Sequence, residues 1–344
     1  MLNKKYISGQ ILICFFIFFI FYFTSCRETK HEIDTSGISI NISFSRFEKD
    51  LFSQPLPVTS SVVADLRNQY PDFFDLFCTR IIRIHAGDDS TTASNLNMFV
   101  TDHDIITIYK KTVQIFPDLD WLKEDLTEML KHYSYYFPEK PVPGIVSYIS
   151  AFNYTVITTD SLTGIGLDMY LGRDCEFYPG LGLPQYKISQ LSKEYIVRDV
   201  IKALFQSDYD PDQVSNEFLS QIIYQGKLLY YTDLMAPGME DTLKIGYTAE
   251  QVKWCFNNES NIWGFMIENN LLYSKEPSRY IRYINDGMTT PGLPKESPAK
   301  LGAWIGWKIV RAYMSKHPDL PLKGLLEEKD AQKILAESGY KPGK

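Results

Sequence analysis

The apolar positions of this chain follow three patterns, and each pattern predicts a different kind of element. Residues 11–23 (ILICFFIFFIFYF) form one apolar and aromatic run without a charge. Over residues 38–44, isoleucine or phenylalanine alternates with serine or asparagine, and this period of two predicts a strand. Beyond that point apolar residues recur every three or four positions, which predicts amphipathic helices.

Helical patterns dominate both ends of the chain, and strands are predicted only near residue 40 and in the middle. The predicted N-terminal helices, separated in the middle by a polar loop over 86–95, are 59–69, 71–84, 96–115 and 118–134. The middle of the chain is predicted to hold strands 144–150 and 153–159 with a tight turn at 151–152, an apolar segment 165–171 and a Gly- and Pro-rich loop 172–189. The predicted C-terminal helices are 192–207, 211–232, 249–272, 277–284, 298–315 and 329–337.

Together these elements predict a mainly helical α+β fold with a small β-sheet. We expect a single α+β domain over 38–344, with a helical N-terminal half. Asp210-Pro211 is typical of a helix start, and 286–298 interrupts the helical part with three prolines and two glycines. Gly226 lies in the middle of a predicted helix, where glycine costs about 1 kcal/mol relative to alanine. It therefore indicates close approach of a neighbouring helix or strand.

The apolar run at the N-terminus predicts export and a lipid anchor. It is shorter than the roughly 20 residues of a membrane span, but it fits a secretory signal that follows two lysines. It ends in Phe-Thr-Ser-Cys26, which resembles the bacterial lipobox, so we expect a signal peptide over 1–25. Lipidated Cys26 and a polar tether would then occupy 26–37 and attach the protein to the membrane. The alternative is an uncleaved signal anchor, in which case Cys26 carries no lipid.

Composition and charge narrow the class of protein. Hydrophobic residues make up 44% of the chain and charged residues 22%, as in ordinary globular proteins, so a disordered or collagenous chain is excluded. The net charge of −7 leaves no basic surplus to neutralise phosphates, and we therefore expect no nucleic acid partner. Cys78, Cys175 and Cys255 lack metal-ligand spacing and are expected to be buried hydrophobes, although one disulfide remains an alternative.

Motifs that carry common chemistry are missing from the sequence. The five histidines are too far apart for the His-Glu-x-x-His pattern of zinc hydrolases, in which two imidazoles one helical turn apart bind one metal. Neither a Gly-x-Ser-x-Gly nucleophile turn nor a Gly-Lys-Ser/Thr phosphate loop is present. The sequence therefore predicts no cofactor, no catalytic metal and no catalytic residues. A pair of carboxylates for glycoside hydrolysis stays open, because folding and not spacing brings such a pair together.

Charged and polar residues inside apolar segments are the candidate site. Arg198 and Lys202 are four apart and share one helix face. Buried charges must be paired, so one interpretation is a set of structural ion networks. The other is a cleft that binds a ligand or a partner. The residues to which these two interpretations apply are Asp168, Arg198, Asp199, Lys202, Gln225 and Lys227.

Four segments resemble the gliding motility lipoprotein GldB family of Bacteroidota. They are residues 165–172 (IGLDMYLG), 222–234 (IIYQGKLLYYTDL), 262–273 (IWGFMIENNLLY) and 291–307 (PGLPKESPAKLGAWIGW). The resemblance covers nearly all of the chain after the signal and agrees with the lipobox. It implies a cell-envelope lipoprotein whose partners are other proteins of the gliding apparatus and, through it, of type IX secretion.

A fainter resemblance is to zincin-like metallopeptidases, which place His-Glu-x-x-His on a helix after a small sheet. The corresponding segment here is Arg198-Asp199-Val200-Ile201-Lys202, with cations in place of both histidines and Asp199 in place of the glutamate. Gln225-Gly226 would then lie near the third-ligand position. Since cations repel zinc, the resemblance implies a lost metal site and a cleft that holds a peptide without cutting it.

The function predicted from the sequence is that of a non-enzymatic envelope lipoprotein, a component of or accessory to the gliding or secretion machinery. We expect the protein to be attached by its lipid to the periplasmic face of either the inner or the outer membrane. The alternatives are a peptidase-like or glycan-acting hydrolase, and a lipoprotein that binds peptides or glycans.

Overall fold

A small mixed β-sheet lies among helices in the computed structural model, which describes residues 33–85 and 87–343. The strand order is β1-β2-β4-β3. Strand β2 pairs in parallel with β1 and β4, and β3 pairs with β4 in the antiparallel sense. The strands are β1 Phe44–Arg46, β2 Gly144–Tyr148, β3 Val156–Thr158 and β4 Leu162–Gly166. Helical residues far outnumber these strand residues, so the prediction of a mainly helical α+β fold is confirmed.

In the part of the chain that the structure describes, six α-helices precede strand β2, and nine follow the sheet. The first group is α1 Phe47–Phe52, α2 Ser60–Gln69, α3 Phe74–Leu76, α4 Asp89–Thr101, α5 His103–Ile115 and α6 Asp120–Tyr136. The second group is α7 Gln185–Ile188, α8 Ile196–Asp208, α9 Phe218–Met235, α10 Asp241–Ile245, α11 Ala249–Glu268, α12 Pro277–Tyr280, α13 Leu301–Lys316, α14 Leu322–Glu327 and α15 Ala331–Ser338. Short segments of other helical types follow α3 (Phe77–Ile81, π) and β4 (Leu167–Tyr170, 3-10).

The sheet separates two hydrophobic cores because neighbouring strand residues point to opposite faces. On β2, Ile145 faces the larger core, which contains α6 and the C-terminal helices. Val146 and Tyr148 face the smaller core, formed with helices α1 to α4. Phe47 at the start of α1 is the centre of that smaller core and makes edge-to-face contacts with four aromatic rings, the nearest being Phe77 at 4.7 Å between centroids.

Three local predictions were wrong. The polar run 86–95 contains most of the first two turns of α4, because the Asp88 side chain accepts a hydrogen bond from the Thr91 N–H and caps the helix. Of the strand predicted over 38–44 only Phe44 lies in β1, which continues to Arg46, although the Ser43 carbonyl still accepts a hydrogen bond from the Ile145 N–H of β2. Asp210 caps a single 3-10 turn, and helix α9 begins only at Phe218.

The tight turn at 151–152 exists, but it does not join neighbouring strands. Ala151 and Phe152 both adopt left-handed backbone angles, with φ of 55° and 63°. Strand β4 then enters the sheet between β2 and β3, so the two strands on either side of the turn do not pair. Pairing of β4 with β2 on one side and with β3 on the other satisfies its backbone on both edges.

The close approach expected at Gly226 is confirmed. Helices α9 and α13 cross where Gly226 meets Gly306, and a Cβ at Gly226 would lie 2.2 Å from the Gly306 carbonyl oxygen. A Cβ at Gly306 would lie 1.7 Å from the carbonyl oxygen of Ile222. Both distances are far below ordinary contact, so glycine at these positions allows the two helix backbones to touch.

Candidate functional site

Asp168 lies directly after strand β4 and is completely buried. Its carboxylate accepts hydrogen bonds from the Ser150 backbone N–H and hydroxyl, at 3.1 and 3.2 Å, and from the Phe152 N–H at 2.7 Å. Burial raises its pKa to about 6, and these hydrogen bonds hold the pKa below the value that burial alone would give. Asp168 therefore stabilises the left-handed turn after β2, whose backbone N–H groups point at its carboxylate.

Lys227 and Gln225 lie on helix α9. The Lys227 ammonium donates to the carbonyl oxygens of Leu326 and Glu328 at the end of α14. Burial lowers its pKa to about 8. Its hydrogen bonds involve none of the other predicted site residues, although it lines a cavity of about 510 Å³ beside α14. Gln225 is half-buried on the same helix.

Helix α8 carries the other three predicted residues. Arg198 donates from Nε and Nη2 to Asp199 Oδ1, at 2.9 and 2.7 Å, and from Nη1 to Gln190 Oε1 at 2.8 Å. The Tyr170 hydroxyl donates to the second Asp199 oxygen at 2.9 Å. Lys202 follows one turn later and is exposed. Both oxygens of Asp199 are thus occupied. The Arg198 side chain that holds one of them is only 14% exposed, whereas Lys202 lies toward solvent.

Two further charged residues belong to this site. Lys300 donates to Asp286 Oδ1 at 3.1 Å and, more weakly, to the carbonyl oxygen of Ile245 at 3.4 Å. Gln190 accepts a hydrogen bond from Arg198 and donates one, at 3.4 Å, to the carbonyl oxygen of Gly246, the residue after Ile245. Arg198 and Lys300 are therefore connected through two consecutive carbonyl groups at the end of α10. We call Arg198, Lys202 and Lys300, with their counterions Asp199 and Asp286, the cation cluster.

The charges of the cation cluster influence one another. Burial tends to raise the pKa of Asp286, but Lys300, Lys202 and Arg198 together lower it below its ordinary value. Burial lowers the pKa of Lys300; Asp286 opposes this shift, whereas Lys202 and Arg198 add to it. Three cations thus act on one half-exposed carboxylate, whose side chain is 43% exposed.

Asp286 and Lys300 carried only a weak sequence signal. Asp286 is the first residue of the Gly- and Pro-rich segment 286–298 and Lys300 follows it closely, and the pattern identifies this segment only as a helix break. Lys300 also has a left-handed backbone (φ 62°) immediately before α13, which is uncommon for a residue other than glycine. A charge at each end of a helix-breaking loop is a clue to convergence, but folding is needed to show what the loop approaches.

A cavity of about 600 Å³ lies beside the cation cluster. Ser189, which precedes Gln190, and Gly287, which follows Asp286, both line it. Its wall is mixed, with aromatic, aliphatic, amide and charged side chains, and Met288 on its rim is 79% exposed. The remaining lining residues are Arg173, Asp174, Pro184, Gln185, Tyr186 and Gln251.

A separate ion network, which the sequence pattern did not reveal, links α9, α10 and α13. Asp233 accepts two hydrogen bonds from Arg311, at 2.7 and 2.8 Å, one from Lys244 at 2.7 Å and one from the Trp307 indole at 2.8 Å. Asp241 completes the network by accepting from Arg311 at 3.2 and 3.3 Å. Its charges balance and its partners are satisfied, so we assign it to stability.

Within 33–85 and 87–343, no three His, Cys, Asp or Glu side chains are grouped so that they could hold a metal ion. Across the same residues, no helix has the length and apolar character to cross a membrane. Cys78, Cys175 and Cys255 are free and buried, and burial raises the pKa of each thiol. Cys26 and the predicted signal peptide lie outside the described residues.

Fold and site together define a class: a mainly helical α+β protein with a cation-rich site beside a cavity. The family model described as gliding motility protein GldB matches residues 28–342, and the chain belongs to this family. It is thus a member of a family of gliding motility lipoproteins, which indicates a membrane-anchored envelope protein. Neither a curated protein nor a solved structure matched the chain, and the zincin-like relation stays a prediction.

Proposed function

We propose that this protein is a non-enzymatic envelope lipoprotein, accessory to the gliding motility and type IX secretion machinery. Family membership supports the link to motility. The observation that carries the non-enzymatic part is the chemistry of helix α8, where Arg198 and Lys202 stand one turn apart. The zincin-like resemblance puts these two cations where the metal-binding histidines of a peptidase would be. Guanidinium and ammonium groups have no lone pair to offer a metal ion and repel it.

Asp199, the acidic residue between these two cations, is also unsuited to catalyse hydrolysis. A general base must reach the water that it activates through a free oxygen. One Asp199 oxygen accepts from Arg198 and the other from Tyr170. An acid held in this way orients a cation and does not activate water, so the helix is suited to binding.

The proposed location follows from the lipobox. A lipid on Cys26 would attach the protein to the periplasmic face of a membrane, where its partners would be other gliding or secretion proteins. Replacing Cys26 by Ala should move the protein from the membrane fraction to the soluble fraction. If the Cys26→Ala protein stays in the membrane fraction, the lipid anchor is wrong and the uncleaved signal anchor takes its place.

Deletion of the gene tests the biological role. We expect reduced colony spreading or reduced protein secretion, restored by the wild-type gene. Unchanged spreading and secretion in the deletion strain would refute the proposed role.

Metal content tests the non-enzymatic part independently of any substrate. Elemental analysis of the full chain, purified in mild detergent without chelator, should find far less than one zinc per chain. A value close to one zinc per chain would contradict the proposal and favour the hydrolase.

A further inference from the structure

The cation cluster has more positive than negative charge, although the chain as a whole is acidic. Three cations face two carboxylates, whereas the net charge of the chain is −7. Asp199 is fully occupied by Arg198 and Tyr170. Among the ion pairs of the described residues, none involves the exposed ammonium of Lys202. One positive charge is thus available at the surface.

Asp286 shows which kind of group this site attracts. Its carboxylate lies 3.1 Å from Lys300 and belongs to a Gly- and Pro-rich loop, where it is 43% exposed. A half-exposed carboxylate of this kind can be replaced by another carboxylate with little loss, because solvent already screens part of the pair. We therefore regard Asp286 as an internal counterion that occupies part of a binding site.

The neighbouring cavity indicates the rest of the ligand. Its volume of about 600 Å³ is within the range of ligand sites, and its wall offers both apolar surface and amide or hydroxyl groups. Tyr186, Pro184 and the exposed Met288 can pack against apolar side chains, while Gln185 and Gln251 can bond to peptide groups. A polypeptide segment with alternating acidic and apolar residues meets both requirements.

We propose that the cation cluster and this cavity bind an acidic polypeptide segment, with a ligand carboxylate at Lys202 and Lys300 in competition with Asp286. This inference rests on the proposed function, because it gives a non-enzymatic lipoprotein a means of holding a partner. The ligand is acidic because three cations converge, and it is peptidic because the adjoining wall combines apolar side chains with amide groups.

Binding to a defined peptide tests the inference. The probe is a capped peptide of alternating Glu and Leu residues, and the reference is the same peptide with Gln in place of Glu. The full chain in mild detergent is titrated by calorimetry, at low and at high salt. We expect the Glu peptide to bind more tightly than the Gln peptide, and its affinity to fall with salt. Equal affinity for the two peptides would overturn the proposal.

Three substitutions with different expected directions make the test specific. Lys202→Gln should weaken binding about threefold, the effect of one exposed charge pair. Asp286→Asn should strengthen it, because the internal competitor is removed. Lys110→Gln is the control, since Lys110 is an exposed lysine on helix α5, outside the cation cluster. If Lys202→Gln behaves like Lys110→Gln, or if Asp286→Asn weakens binding in a protein with wild-type circular dichroism, the assignment is wrong.

Free glutamate separates a peptide site from a simple anion site. We expect it to compete only weakly with the Glu peptide, because it cannot use the cavity wall. Competition at similar concentration would overturn the peptide part of the proposal. Failure of binding is distinguishable from failure of the proposed function, which is measured by spreading and secretion of the deletion strain.

Discussion

The crossing of helices α9 and α13 gives the sharpest prediction about stability. Substitution of Gly306 by Ala would put a methyl group 1.7 Å from the Ile222 carbonyl oxygen, where ordinary contact begins near 3.4 Å. The obstacle is backbone and not a flexible side chain, so the helices must separate by about 1.7 Å. Such separation also opens the larger core, because residues 303–305 and 307 of α13 are buried within it.

Two opposing contributions set the expected change in the free energy of unfolding of Gly306→Ala. Overpacking of a filled core costs about 1–3 kcal/mol, and a backbone clash belongs at the upper end of that range or beyond it. Alanine returns about 1 kcal/mol, since it is the better helix former. We therefore expect Gly306→Ala to lower the free energy of unfolding by at least about 2 kcal/mol, which is a Tm decrease of about 3 °C in a chain of this size.

Gly264→Ala is a matched control within the same protein. Gly264 lies in helix α11, and no atom would lie within 4 Å of an added Cβ. At this position alanine adds only its better helix propensity and meets no clash, so we expect the Tm of Gly264→Ala to rise by about 1–2 °C. Thermal unfolding of the full chain in mild detergent, followed by circular dichroism, measures both variants. A Gly306→Ala protein as stable as Gly264→Ala would refute the close crossing.

Three further predictions concern buried polar groups. Asp233→Ala should cost about 3–5 kcal/mol, because it leaves the buried charges of Lys244 and Arg311 without their shared carboxylate; an unchanged Tm would contradict the structural role of this network. Asp168 has a higher pKa in the folded protein than in the unfolded chain. Its contribution to the free energy of unfolding is therefore complete below the unfolded-state pKa and is lost as pH rises through the folded-state pKa. The stability of the wild type relative to Asp168→Asn should therefore fall by up to about 3 kcal/mol between pH 4 and pH 6 and then level off, and denaturant midpoints across this range test the buried position. Burial also raises the pKa of the Cys78 thiol to about 12, so it should resist a thiol reagent at pH 8 until the protein unfolds; rapid labelling of the native protein would argue against burial.

Helix α9 and the polar run 86–95 show how far local pattern can predict this fold. The apolar spacing of 211–232 predicts a long helix, and its glycine correctly indicates close contact, because both properties are local to the segment. In contrast, 86–95 has loop composition, yet residues 89–95 are helical because Asp88 caps the helix. A capping residue and a turn residue have the same side chain, so composition alone does not distinguish them.

Some residues of the candidate site could likewise be grouped from the sequence, and others only from the tertiary structure. Arg198, Asp199 and Lys202 could be grouped from the sequence, because one helix fixes their spacing. Asp286 and Lys300 join them only through the end of α10, and no periodicity connects segments so far apart. Asp168 was placed correctly in a buried segment, yet its partners are backbone N–H groups of a turn, which no sequence pattern displays.

By itself the sequence determined the mainly helical α+β class, the family, the position of most long helices and the need for a close contact at Gly226. These properties depend on hydrophobic periodicity and residue size, which are read along one segment at a time. The tertiary structure alone decided the strand order, the ion network around Asp233 and the link between helix α8 and the Lys300–Asp286 ion pair through the end of α10. Those features depend on which distant segments share a surface, and that is fixed by the packing of the two cores on either side of the sheet.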